Sequence, residues 1–224
     1  MKIGILGTGW VGQTISSTLS EIGHDVMLGT RDVNRTRAKV ESDGYPFRDW
    51  LEAHSATQLG TFAQSAQFGE VILNATTGSA SIAVLESAGE ANLNGKILID
   101  ISNPLDFSKG MPPSLFISNT DSLGEQIQAR FPLVKVVKTL NTLTAPLMVN
   151  PSALADGDHH LFVSGNDADA KNAVIDYLKT WFGWKHIIDL GDITTARGTE
   201  MMLPVWIRLW GVLGSPMFNF KIVR

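Results

Sequence analysis

The sequence predicts an α/β fold: a doubly wound, mostly parallel sheet with helices on both faces and a short C-terminal helical part. Three observations predict it. Short apolar runs of strand length alternate with longer segments of helical period. Glycines punctuate the junctions, where the chain passes between layers. The composition, 44% hydrophobic and 18% charged over 224 residues, is that of a globular chain able to bury about 70% of its unfolded surface.

The elements follow in order. Lys2–Leu6 is apolar and runs into glycines, so it reads as a buried strand. Residues 9–22 carry Val11, Ile15, Leu19 and Ile22 on one helical face, and Gly23 stops that helix. Residues 25–28 form a second strand closed by Gly29, and the polar stretch 34–40 is a helix. A third strand at 71–73 is backed by a helix over 81–90. Residues 96–101 form the fourth strand, and 121–130 form a helix with Leu123 and Ile127 facing in. The fifth strand spans 135–140. His160–Ser164 and 186–190 add two strands around a helix at 168–181. A final long helix rich in Met, Leu and Trp covers 193–212. Residues 42–59 are the least regular, with a short helix at 47–54. Residues 103–118, with Pro104, Pro112, Pro113 and Gly110, read as a surface loop placed to lid the sheet end. A sheet domain is expected over 1–190. The segment 191–224, starting at Gly191-Asp192, is expected to supply a substrate pocket or dimer contact.

Several function classes drop out on composition. No cysteine means no disulfide, thiolate catalysis or cysteine-ligated metal. The net charge of −4 argues against nucleic acid. No run of 18 apolar residues occurs and the opening residues lack the pattern of a signal peptide, so a cytoplasmic protein away from membranes is expected. The histidines, His24, His54, His159, His160 and His186, fall at no expected strand tip on the ligand side. His159 and His160 are adjacent in a strand and so make a poor metal pair, and no metal site is expected. Lys138 lies inside an expected strand and reads as structural.

Gly7-Thr8-Gly9-Trp10-Val11-Gly12 is a G-x-G-x-x-G sequence between an expected strand and an expected helix, the context that gives the pattern meaning. Gly7 allows the turn, Gly9 admits a pyrophosphate, and Gly12 lets helix and strand pack closely. The helix start offers N–H groups and a positive dipole end to the phosphates. About 20 residues on, an NAD site carries an acidic residue for the ribose hydroxyls. Here Gly29-Thr30-Arg31 stands instead, followed by Arg35 and Arg37, with Asp32 one position late. A hydroxyl and a guanidinium would hydrogen-bond a 2′-phosphate that a carboxylate would repel, so the cofactor is read as NADP(H). The plainer alternative is that these cations are the solvated face of a helix.

Beyond the strand ends, where ligands of such sheets lie, the tips are small and polar: Asn74-Ala75-Thr76-Thr77, then Ser102-Asn103, then Asn141-Thr142. Thr76, Asn103 and Asn141 are candidates for lining a hydride-transfer site, set against a role as helix caps. No general acid or base stands at these tips. That favours direct hydride transfer to or from a small molecule, where holding two carbons about 3–3.5 Å apart supplies most of the catalysis. Met201, Met202, Leu203, Trp206, Trp210, Met217 and Phe218 either form core and interface or wall a pocket for a second ring.

These residues together resemble the reduced coenzyme F420:NADP oxidoreductase family. The resemblance runs from Lys2-Ile3-Gly4-Ile5-Leu6-Gly7-Thr8-Gly9 through Gly29-Thr30-Arg31, Gly60-Thr61-Phe62-Ala63, Phe68-Gly69-Glu70-Val71, Asp100-Ile101-Ser102-Asn103-Pro104 and Lys138-Thr139-Leu140-Asn141-Thr142. It ends in the tail Gly214-Ser215-Pro216-Met217-Phe218-Asn219-Phe220-Lys221. It implies a Rossmann-like NADP-binding domain, a homodimer, and F420 as the second redox partner. It implies that Thr30, Arg31 and Arg35 grip the 2′-phosphate and that Asn74, Ala75, Thr76 and Thr77 lie along the nicotinamide half. Asn141 stands where some members carry His beside the deazaflavin. Two other readings stay open: a reductase of small carbonyls or imines, which needs a proton donor near the substrate, and a non-catalytic NADP(H)-binding sensor or partner module.

Overall fold

The structure, a computed structural model, describes residues 1–40 and 47–224. Of the irregular stretch expected over 42–59, residues 42–46 lie outside the described residues.

The first half alternates strand and helix: β1 Lys2–Leu6, α1 Trp10–Glu21, β2 Asp25–Thr30, α2 Val33–Arg37, α3 Phe47–Ala53, β3 Thr57–Thr61, α4 Phe62–Phe68, β4 Val71–Asn74, α5 Gly78–Ala88, α6 Glu90–Leu93 and β5 Ile97–Asp100. Then come the short hairpin β6 Leu105–Asp106 and β7 Ser114–Leu115, α7 Leu123–Arg130, β8 Lys135–Thr139, α8 Ala145–Val149, β9 His160–Ser164, α9 Ala168–Phe182 and β10 His186–Asp189. The C-terminal part is α10 Ala196–Met201 and α11 Leu203–Leu213.

The main sheet has the order β10-β9-β8-β5-β4-β1-β2-β3. Six strands from β3 to β8 run parallel, and the order reverses beside β1, which places a ligand crevice between the tips of β1 and β4. The strands β4 and β5 are wholly apolar except for their last residues, as strands covered on both faces must be. Ile3, Ile5, Leu73 and Val137 join one core under α1, α3, α8 and α9. Leu6, Ile72, Leu98 and Val136 point the other way, into a core with α4, α5 and α7 that also takes in Ile193 and Ala196.

The structure corrects four expectations. It adds the edge strand β3 and helix α4, which the hydrophobic pattern does not announce. The β3 sequence TQLGT is polar because it borders the sheet, and α4 is signalled only by a capping box between Thr61 and Gln64. The strand β9 pairs antiparallel with β8, so β9 and β10 run against the other six. That reversal brings His160 and His186 to the ligand edge, in a pocket of their own with Lys185. The long helix expected over 193–212 is broken at Met202, and Pro204 opens α11, in the first turn where its missing N–H does no harm. The loop 103–118 contains the β6–β7 hairpin.

Candidate active site

The glycine loop has the geometry that its spacing demands. Gly7 has φ +118°, and a Cβ there would stand 2.5 Å from the Ala75 carbonyl oxygen. A Cβ on Gly12 would stand 2.2 Å from the Gly7 carbonyl oxygen. Gly9 differs: a Cβ there would meet nothing within 4 Å, so this glycine faces open space at the start of α1. Thr8 and Val11 are half-buried beside it, and Trp10 is 60% exposed.

At the end of β2, Thr30, Arg31, Asp32 and Arg35 line a surface depression. Arg31 and Arg35 are exposed, and among the described residues neither guanidinium pairs with a carboxylate. Asp32 caps α2 instead, its Oδ1 accepting from the Arg35 N–H at 2.9 Å. The Thr30 hydroxyl is buried and shares a 2.7 Å hydrogen bond with Thr36.

The tips of β4, β5 and β8 meet in a cleft of about 320 Å³. Thr76, Asn103 and Asn141 all line it, with Ala75 and Thr77. Asn103 and Asn141 clamp each other: the Asn141 amide donates to Asn103 Oδ1 at 2.9 Å, and the Asn103 amide donates to the Asn141 carbonyl at 2.8 Å. Asn74 lies outside the cleft. It is fully buried, donating to Asp100 Oδ1 at 2.8 Å and accepting from the Thr76 hydroxyl at 2.6 Å. Leu203 and Trp206 of α11 close one side, and Leu105 and Phe107 of the 103–118 loop close another. Of the described residues lining this cleft, none is ionisable. Among the described residues, no group of three or more His, Asp or Glu is placed to hold a metal ion, and no helix is long and apolar enough to cross a membrane.

Sequence reasoning misses what lies beneath the cleft. Asn74, Asp100 and Lys138 occupy one transverse row of the sheet, paired across β4, β5 and β8. Lys138 Nζ donates to Asp100 Oδ2 at 2.8 Å, to the Ser102 carbonyl at 2.5 Å and to Glu200 Oε1 at 2.8 Å. All three of its donors are used. Glu200 in turn accepts the Leu123 and Gly124 N–H groups at the start of α7, at 2.8 and 3.0 Å. Burial disfavours the charge on Lys138. Attraction from Asp100 and Glu200 outweighs that, and its pKa lies above the ordinary lysine value. The only sequence signal for this row is that residues 74, 100 and 138 each fall just before a turn.

Residues 2–104 match the family described as NADP oxidoreductase, coenzyme F420-dependent. The F420-dependent NADP reductase of Methanothermobacter marburgensis is 28% identical over 214 residues, 93% of this chain and 92% of that protein. Metalloreductase STEAP3 of Rattus norvegicus is 27% identical over 210 residues, 92% of this chain, which spans 38% of that longer protein. A crystal structure of a candidate F420-dependent NADP-reductase from Arthrobacter sp. FB24 is 58% identical, covers the whole of both chains and has a TM-score of 0.96. The chain belongs to the F420-dependent NADP oxidoreductase family. The Rossmann-like sheet is thus the family's fold, including the C-terminal helices, since the match to the Arthrobacter chain extends over their full length.

Proposed function

We propose that the protein is an NADP(H)-dependent oxidoreductase that passes a hydride between the nicotinamide and the deazaflavin of coenzyme F420. The observation that carries this is a cleft at the sheet's switch point whose lining holds amides, hydroxyls and apolar walls and, among the described residues, no ionisable group. Such a lining suits a reaction that needs orientation and exclusion of water rather than proton transfer. A carbonyl or imine reductase needs a proton donor at the substrate. Lys138 and Glu200 cannot serve, since both are sealed from the cleft with their hydrogen bonds taken.

The residues fit the cofactor. The loop Gly7, Thr8, Gly9, Trp10, Val11 and Gly12 would hold the pyrophosphate, with the open side of Gly9 admitting its oxygens. Arg31 and Arg35 would grip the 2′-phosphate. The Thr30 hydroxyl, oriented by Thr36 and lining the same depression, would join them at the phosphate. When bound, the nicotinamide supplies or takes the hydride. Ala75, Thr76 and Thr77 would flank it, and the Asn103–Asn141 clamp would fix the cleft floor. The sheet unit 1–190 would then carry the nucleotide and 191–224 the acceptor wall. The exposed apolar residues Val205, Trp210, Val212 and Leu213 would form a homodimer contact. The same reading places the protein in the cytoplasm, in contact with neither membrane nor nucleic acid.

The test is an acceptor panel in which NADPH absorbance is followed with F420, flavins, small carbonyls and imines. Rapid oxidation with F420 alone supports the reading. Turnover with carbonyls or imines replaces it with the reductase alternative, and NADPH binding without any turnover replaces it with the sensor.

A further inference from the structure

Buried charge is expensive, and a buried ion pair often contributes less to stability than apolar residues of the same shape would. The Asp100–Lys138–Glu200 triad is therefore poorly explained as glue. All three residues are at most 1% exposed, and their hydrogen bonds lead to the cleft from two sides. One arm is Lys138 to the Ser102 carbonyl at 2.5 Å; Ser102 precedes Asn103, half of the amide clamp. Asp100 Oδ1 strengthens this arm by accepting the Ser102 N–H at 3.2 Å and its hydroxyl at 2.7 Å. The other arm is Glu200, which leaves the C-terminal segment to reach both Lys138 and the first N–H groups of α7. Glu200 stands three residues before Leu203 and six before Trp206, the two α11 side chains in the cleft wall. Met202, between the two helices, keeps helical angles (φ −69°, ψ −22°), and its carbonyl accepts the Trp206 N–H at 2.9 Å, so a displacement of Glu200 is passed directly along the chain to Leu203 and Trp206.

We infer that Glu200 and Lys138 are positioning residues: the buried triad sets the α11 wall and the cleft floor at one spacing, and so governs affinity for the flat acceptor without touching it. This rests on the proposed function for the identity of the acceptor, but not for the positioning itself. The grip on the nucleotide's phosphates would lie across the sheet's switch point from the triad, at β1 and β2, and only the nicotinamide would enter the cleft, so most of the nucleotide affinity should survive a change in the triad.

The test uses the full chain and the near-isosteric Glu200→Gln, with Glu200→Asp beside it. The Asp variant keeps the charge and shortens the reach by one methylene, so it carries the test if the Gln variant does not fold. Two readouts are taken. Hydrogen exchange should show protection of the Leu123 and Gly124 amides and of α11 falling about tenfold or more, with β1 and α1 unchanged. Steady-state kinetics should show KM for F420 rising about tenfold while NADPH affinity, measured by calorimetry, holds. A folded variant with α11 protection and KM both as in the wild type overturns the inference. So does an equal loss of NADPH and F420 affinity, which would mark a general loosening. If the wild type does not turn over F420 at all, the functional reading fails, and the exchange comparison alone decides the positioning role.

Discussion

At the end of β2, Arg31 and Arg35 stand exposed with no carboxylate partner among the described residues, whereas beneath the tips of β5 and β8 Lys138 is sealed between Asp100 and Glu200. Both places carry cations near the carboxyl ends of the parallel strands. In the first the charge is left open, hydrated and able to meet an anion. In the second it is spent inside the protein, where it can only hold parts together. The difference separates ligand-binding charge from scaffold charge without reference to any relative: the question is whether the protein has already supplied the counter-ion.

The largest effect should come from breaking the sealed end. Lys138→Met removes the cation and leaves Asp100 and Glu200 facing each other out of water. Loss of one partner from a buried set costs about 3–5 kcal/mol, read as a lower midpoint in denaturant unfolding. The pH dependence sharpens the point. A lysine whose pKa is raised in the fold contributes stability that is fully present below the unfolded value of about 10.4 and is lost only as pH rises through the folded value. The gap between wild type and Lys138→Met should therefore stay level from neutral pH to about pH 9 and narrow only in strong alkali. A gap that closes near neutrality would mean that Lys138 is not the charged member.

This sealed end is also the part hardest to read from sequence. Asn74, Asp100 and Lys138 are 26 and 38 residues apart, and only strand register brings them together. Strand direction is equally invisible locally, and nothing in residues 160–164 shows that β9 runs against β8. By contrast, the helical face of Val11, Ile15 and Leu19 and the glycine spacing of the phosphate loop are local patterns, and local patterns can be read. The edge strand β3 escapes because alternation marks a strand only where one face is buried and the other wet, and TQLGT has two apolar-poor faces. Pro204 is visible, but a proline within a helical run reads as an interruption. Only the structure shows that it begins a second helix.

The open end predicts a smaller and more selective effect. Arg31→Ala should lower NADPH affinity about tenfold to a hundredfold and leave NADH affinity nearly unchanged, because only the former presents a phosphate at that strand end. Calorimetry with both nucleotides checks it, and the loss should shrink as salt is raised. Equal losses for the two nucleotides would place Arg31 on the adenine or ribose instead. Folding stability should not move, since among the described residues no partner depends on this guanidinium.

The smallest effect makes the finest comparison. The helix α10 is tied to α7 twice. Glu200 reaches the Leu123 and Gly124 N–H groups from a buried position, and three residues earlier Arg197 pairs with Glu125, its Nε at 2.8 Å from Oε2. Hydrogen bonding to Glu125 raises the Arg197 pKa above the ordinary guanidinium value, so the cation stays charged. The Arg197 side chain is 35% exposed, however, and water and salt screen what it gains. Arg197→Gln should lower the unfolding midpoint far less than Lys138→Met, and that small loss should fade as salt approaches ~1 M, whereas the loss in Lys138→Met should not. The α11 exchange pattern should also stay that of the wild type. If Arg197→Gln instead loosens α11 as Glu200→Gln does, the two helices are held by the sum of their ties, and the depth at which a charge is buried would not decide what it controls.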